Sequence, residues 1–126
     1  MELEGNKRKK VLIVEDNDDI LEMMATYLRL DGFETVLARD GLEAVEMAGL
    51  HCPDLILMDI AMPRMNGLEA ARIIKESASC ANIPIIALTA HHEVLACEDG
   101  SRFADVVRKP LRLDVLKSAI SAHLNA

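Results

Sequence analysis

The sequence predicts an α/β fold, a doubly wound sandwich built on one five-stranded parallel sheet. Three observations carry that prediction. Short aliphatic runs recur at Val11-Leu12-Ile13-Val14, Leu55-Ile56-Leu57-Met58, Ile85-Ile86-Ala87-Leu88 and Val106-Val107, and segments of helical period separate them. Within each run the apolar residues are consecutive rather than alternating, as strands covered on both faces require. Each run also stops at chemically active residues: Glu15-Asp16, Asp59, Thr89 and Arg108-Lys109.

Taken in order, residues 1–8 read as a polar, basic tail, and residues 9–126 as one domain. Lys7-Arg8-Lys9-Lys10 is a basic cluster that could meet a partner, but a solvated lead into the first strand is the favoured reading. After that strand, Asn17 or Asp18 caps a helix to about residue 30, with Ile20, Leu21, Met24 and Leu28 on its apolar stripe. Asp31-Gly32 ends it. Residues 33–38 form the second strand. Asp40 caps a helix that is expected to stop near Gly49, and His51-Cys52-Pro53 leads into the third strand. A loop containing Pro63 and Gly67 precedes a helix through Leu68, Ala71, Ile74 and Lys75. Asn82 and Pro84 precede the fourth strand. Residues 91–102 show weak periodicity, which suggests a short or irregular helix. Residues 104–107 form the fifth strand, and Leu113, Leu116, Ala119 and Ile120 mark the last helix.

Strand–helix alternation with right-handed crossovers leaves few topologies, and the flavodoxin-like (βα)5 order 2-1-3-4-5 fits. Ligands bind such sheets beyond the carboxyl ends of the strands, where the winding reverses. Strands one and three flank that point, and both end in acids.

Composition narrows the function. The chain has 126 residues, 51% hydrophobic, so it fits a single folded domain. With only Tyr27, Phe33 and Phe103 as aromatics, the core must be aliphatic. The net charge of -7 opposes phosphate backbones, so nucleic acid is not an expected partner. No apolar stretch is long enough for a bilayer, and no signal-peptide core is present, so a membrane is not expected and a cytoplasmic location is. Cys52, Cys80 and Cys97 are widely spaced and read as reduced thiols. His51, His91, His92 and His123 show no metal-ligand spacing. Met23, Met24, Met47 and Met58 read as core residues, whereas Met62 and Met65 could face a partner.

Glu15, Asp16 and Asp59, gathered at one sheet edge, would repel one another unless a cation joined them. Mg²⁺ fits: it takes oxygen ligands and keeps coordination positions open. Asp59 is then the candidate nucleophile, since carboxylates form acyl-phosphate intermediates. Lys109 offers a cation and Thr89 a hydroxyl to a phosphoryl group. Each residue alone has a plainer explanation: Asp16 as a helix cap, Asp59 as a polar strand end, Thr89 as a turn former, Lys109 as a surface lysine. Their conjunction at four strand ends favours a site.

The ordered set Val11-Leu12-Ile13-Val14-Glu15-Asp16-Asn17, Asp54 through Asp59 to Met62-Pro63-Arg64-Met65-Asn66-Gly67, Leu88-Thr89-Ala90 and Lys109-Pro110 resembles the receiver domain of two-component response regulators. The resemblance implies that Asp59 takes a phosphoryl group from a phosphohistidine on a sensor histidine kinase or histidine phosphotransfer protein. It implies Mg²⁺ held by Asp16 and Asp59 directly, by Glu15 through water and by the Ala61 carbonyl. Thr89 and Lys109 would bind the phosphoryl oxygens, with small Ala90 leaving room. It further implies a cis Lys109–Pro110 bond, self-phosphorylation from small donors, and slow autodephosphorylation tuned at Ala61 and His91. The downstream protein target is not implied.

Two departures stand out. Val106 occupies the position where such receivers usually carry an aromatic that swings inward. The stretch from Thr89 to Lys109 is also about two residues short. Both favour an alternative, a degenerate receiver that serves as an interaction module without phosphorylation. A haloacid-dehalogenase phosphatase matches Asp16-Asn17-Asp18 superficially, but Ile20 is wrong for it and Asp59 would have no role. A flavin carrier lacks the phosphate-cradling loop. Met1 and the helical end near Ala126 suggest a stand-alone receiver.

Overall fold

The computed structural model describes residues 8–62, 65–90 and 103–124. Five parallel strands form one sheet in the order β2-β1-β3-β4-β5. They are β1 (Lys10–Val14), β2 (Glu34–Ala38), β3 (Leu55–Asp59), β4 (Ile85–Thr89) and β5 (Asp105–Arg108). The helices are α1 (Asp18–Leu30), α2 (Gly41–His51), α3 (Gly67–Glu76) and, last, α4 (Leu113–Leu124). This is the doubly wound arrangement expected from the alternation of runs.

Strand side chains point alternately to two faces, so each continuous apolar run feeds two cores at once. Leu12, Val14, Ile56, Met58, Ile85 and Ala87 pack with Ala44 and Ala48 of α2 and Ala70, Ala71 and Ile74 of α3. Val11, Ile13, Leu55, Leu57, Ile86 and Leu88 pack on the other face with Leu21, Met24 and Leu28 of α1 and Leu116 and Ile120 of α4. Small alanines on α2 and α3 let those helices lie close to the sheet. Met24 and Met58 are core residues as expected, but Met23 is 43% exposed. Met62 and Met65 pack, partly buried, against the α2–α3 core.

Local chemistry sets the boundaries. The Asn17 side chain accepts the Ile20 N–H at 3.0 Å, and Asp18 and Asp19 complement the dipole of the first turn. Gly32, at φ 97, turns the chain out of α1. The Phe33 N–H bonds to the Leu28 carbonyl, so Phe33 belongs to that turn and β2 begins one residue later. Asp40 accepts the Glu43 N–H at 2.8 Å while the Glu43 carboxylate accepts the Arg39 N–H at 2.8 Å, a reciprocal cap on α2.

Gly49 does not stop α2, which continues to His51. One glycine costs a helix only about 1 kcal/mol, too little to end it against the packing of Ala44 and Ala48. The stop is Cys52, at φ 45, followed by Pro53, which has no N–H to continue the ladder. Strand β5 lies one residue later than expected, because its register with β4 pairs Ile86 with Asp105 and Thr89 with Arg108. The expected helix over residues 91–102, with His91, His92 and Cys97, lies outside the described residues.

Two glycines fix the loop that follows β3. A Cβ on Gly67 would overlap the Asp59 carbonyl, and one on Gly41 would overlap the Met65 carbonyl. The first turn of α3 thus sits directly on the end of β3, and the start of α2 closes over the loop. Gly49, in contrast, has open space around its Cβ direction. Gly67→Ala should therefore destabilise the fold by about 1–3 kcal/mol through overpacking. Gly49→Ala should stabilise it by about 0.5–1 kcal/mol. Chemical denaturation of both variants checks the contrast.

Candidate functional site

The carboxyl ends of β1, β3, β4 and β5 converge. Three backbone hydrogen bonds carry the sheet pairing just past the strands: Glu15 N–H to Ala38 O at 3.1 Å, Ile60 N–H to Leu88 O at 3.1 Å, and Lys109 N–H to Thr89 O at 3.0 Å. Each holds a loop that presents one candidate site residue. A fourth, Gly67 N–H to Ile60 O at 2.9 Å, seats α3 against the end of β3.

Carboxylate oxygens of Glu15, Asp16 and Asp59 lie within 4.8 Å of one another. The Lys109 Nζ stands 3.2 Å from Asp59 Oδ1 and 3.6 Å from Glu15 Oε1. Asp59 Oδ1 also accepts the Ala61 N–H at 3.2 Å. Glu15 Oε2 accepts the Asn17 N–H at 3.2 Å. Thr89 closes the group as a buried residue at the end of β4. Asp16 is exposed, whereas Glu15 and Asp59 are buried. The structure thus brings together Glu15, Asp16, Asp59 and Lys109, and places Thr89 and Ala61 beside them on the adjoining backbone.

The charges do not balance. Among the described residues three carboxylates face one ammonium, so acid outnumbers base in a partly desolvated cleft. Burial, reinforced by Asp59, pushes Glu15 above the usual carboxylate range, against the Asn17 N–H and Lys109. Burial likewise pushes Asp59 up, with Lys109 only partly offsetting it. Glu15 Oε1 is buried and, among the described residues, makes no hydrogen bond. A buried carboxylate oxygen with only a 3.6 Å ion pair to Lys109, beside two more carboxylates, is what a hard divalent cation would complete.

Three features escaped sequence reasoning. The Asn17 backbone N–H orients Glu15 while the Asn17 side chain caps α1; only the second role has a sequence signature. The close seat of Gly67 on Asp59 depends on helix packing. The Arg39–Asp18 ion pair at 2.7 Å ties the loop after β2 to the start of α1, and 21 residues separate the partners. The Lys109–Pro110 peptide bond is cis, as the resemblance implied.

Comparison with known proteins now decides the family. The response regulator receiver domain profile matches residues 11–121. The chain belongs to the response regulator receiver family. It is 44% identical over 82 residues to the polar-differentiation response regulator DivK of Brucella ovis, covering 65% of this chain and 67% of that one. Among solved receiver structures, that of a Pseudomonas aeruginosa sensor histidine kinase, with a magnesium ion coordinated in its active-site cleft, aligns at TM-score 0.87. It is 29% identical and covers 95% of this chain and 100% of that one. The Thermotoga maritima response regulator TrrA, in complex with Mg²⁺ and BeF, aligns at 0.85 with 30% identity, covering 92% and 99%. The receiver fold and its sheet order are those expected. Among the described residues, no helix is long and apolar enough to cross a membrane.

The electrostatics of this receiver make a stability prediction. Glu15 and Asp59 rise from ordinary values of 4.5 and 3.8, so between those values and the raised ones the folded chain holds more protons than the unfolded one. Metal-free stability should therefore fall as pH rises through that window. In chelator, Glu15→Gln should melt higher than the wild type at neutral pH, and the difference should vanish below about pH 4. Thermal melts across pH measure this, and a lower neutral melting point for the variant would show that the Glu15 charge is net stabilising.

Proposed function

We propose that the chain is a phosphoacceptor switch in which Asp59 is the acceptor. The observation that carries this reading is the position of Asp59: a buried strand-end carboxylate, 3.2 Å from Lys109 Nζ and within 4.8 Å of two further acids. One Asp59 oxygen attacks the phosphorus of a phosphohistidine on a sensor histidine kinase or histidine phosphotransfer protein. The P–N bond breaks, and its electron pair leaves with the imidazole. Glu15, Asp16 and Asp59, with the Ala61 carbonyl, would hold Mg²⁺, Glu15 through water. The ion supplies positive charge to the phosphoryl oxygens during transfer. Lys109 neutralises the oxygen nearest it, and the Thr89 hydroxyl donates to another. Phosphorylation then changes the surface offered to a downstream protein, and the setting is cytoplasmic.

Val106 bears on the readout. It is partly buried, packs against the core that lies between the sheet and α2–α3, and has no ring to reorient. This favours one second reading, a receiver that binds partners without being phosphorylated. Intact-mass measurement after incubation with Mg²⁺ and acetyl phosphate separates the two. The wild type should gain one base-labile phosphate, and Asp59→Asn or added chelator should abolish it. Lys109→Met should slow its formation by roughly 10²-fold, the scale set by removing one preorganised charge donor. An unmodified wild-type mass would support the phosphorylation-independent module.

A further inference from the structure

Two cysteines meet at one carbonyl oxygen, at the opposite end of the sheet from the acids. The Ala48 carbonyl accepts the Cys52 N–H at 3.0 Å and the Cys80 thiol at 3.6 Å. Cys52 follows α2, Cys80 follows α3, and the packing of those helices brings the residues together across 28 positions of sequence. Neither takes part in the strand-end site. Cys52 is exposed and Cys80 is buried. The Lys10 Nζ donates to the His51 carbonyl at 3.3 Å, which places a cation beside the residue preceding Cys52.

We propose that Cys52 and Cys80 form an oxidisable pair that a peroxide closes into a disulfide. Exposure gives Cys52 access to the oxidant, and a thiolate is the form that reacts. The thiolate sulfur attacks the peroxide; the O–O bond breaks, an S–O bond forms, and hydroxide leaves as water after taking a proton. The Cys80 thiol then attacks the Cys52 sulfenic sulfur; the S–S bond forms, the S–O bond breaks, and a second water leaves with the Cys80 proton. Two thiols lose two electrons and two protons, and the peroxide takes them up.

The geometry suits this division of labour. A disulfide needs the two residues on neighbouring backbone, and the shared Ala48 carbonyl sets the Cys80 sulfur beside the Cys52 backbone. Gly49, Leu50 and His51 are exposed in the last turn of α2, so little packing opposes the local adjustment that brings the sulfurs into contact. Buried Cys80 is shielded from the oxidant and supplies the resolving thiol. The closed loop contains β3, the loop after it and α3, so the bridge restrains the unfolded chain and should raise thermal stability. The acid cluster at the other end of the sheet is left intact, and the test does not depend on phosphorylation.

The test uses the full chain carrying Cys97→Ser, which leaves these two thiols, treated with hydrogen peroxide under folding conditions. The expected product is a monomer lighter by two hydrogens. It should have no alkylatable thiol, a Cys52–Cys80 cross-linked peptide on non-reducing digestion, and a higher melting temperature that dithiothreitol reverses. Cys52→Ser in the same background should leave Cys80 free to alkylation after denaturation. Oxidation of Cys52 to sulfinic acid with Cys80 still free, a bridge between two chains, or two unreacted thiols would each overturn the proposal.

Discussion

The buried pair Glu15 and Asp59, answered among the described residues by the one cation of Lys109, is the constraint on which the rest of this molecule turns. Two carboxylates in a desolvated cleft repel each other and lose hydration, and one ammonium at 3.2 and 3.6 Å offsets only part of that cost. Asp16 adds a third negative charge at the rim. The fold holds these groups together against their repulsion because each is fixed by backbone that the sheet has already ordered. A cluster kept under electrostatic strain by a rigid frame is poised to gain from positive charge, and from chemistry that brings positive charge with it.

The frame explains how the strain is tolerated. Strands buried on both faces commit nearly every apolar side chain of the runs to one of two cores, each worth on the order of 1.5–3 kcal/mol when fully buried. Parallel pairing puts all the strand ends of interest on one edge. The hydrogen bonds from Glu15, Ile60 and Lys109 then extend the sheet by one step into the loops, so the clustered side chains sit on extensions of the sheet. Gly67 and Gly41 remove the Cβ atoms that would hold α3 and α2 away from the loop after β3.

Much of this was legible in the sequence, for identifiable reasons. Consecutive apolar runs report strands buried on both faces, and runs ending in acids report where those acids gather, so the sheet order and the meeting of Glu15, Asp16, Asp59 and Lys109 could be read directly. Boundaries were less legible, because they depend on competition. The glycine at 49 carries too small a penalty to end a packed helix, and the strand before Lys109 takes its limits from register with β4, not from its own composition. What the sequence could not show is contact made by packing: the Asn17 N–H on Glu15, the seat of Gly67 on Asp59, the meeting of Cys52 and Cys80 at Ala48. Val106 was conspicuous in the sequence, and its partly buried position against the α2–α3 core now gives that departure a structural setting.

The central claim is that the acid cluster carries uncompensated negative charge that a divalent cation relieves. Thermal melts at neutral pH across a Mg²⁺ titration test it most directly. The account predicts a saturable rise in melting temperature for the wild type, and a smaller rise from a higher starting point when Asp59 is replaced by Asn. A melting temperature indifferent to Mg²⁺, or one that rises equally in both proteins, would contradict it.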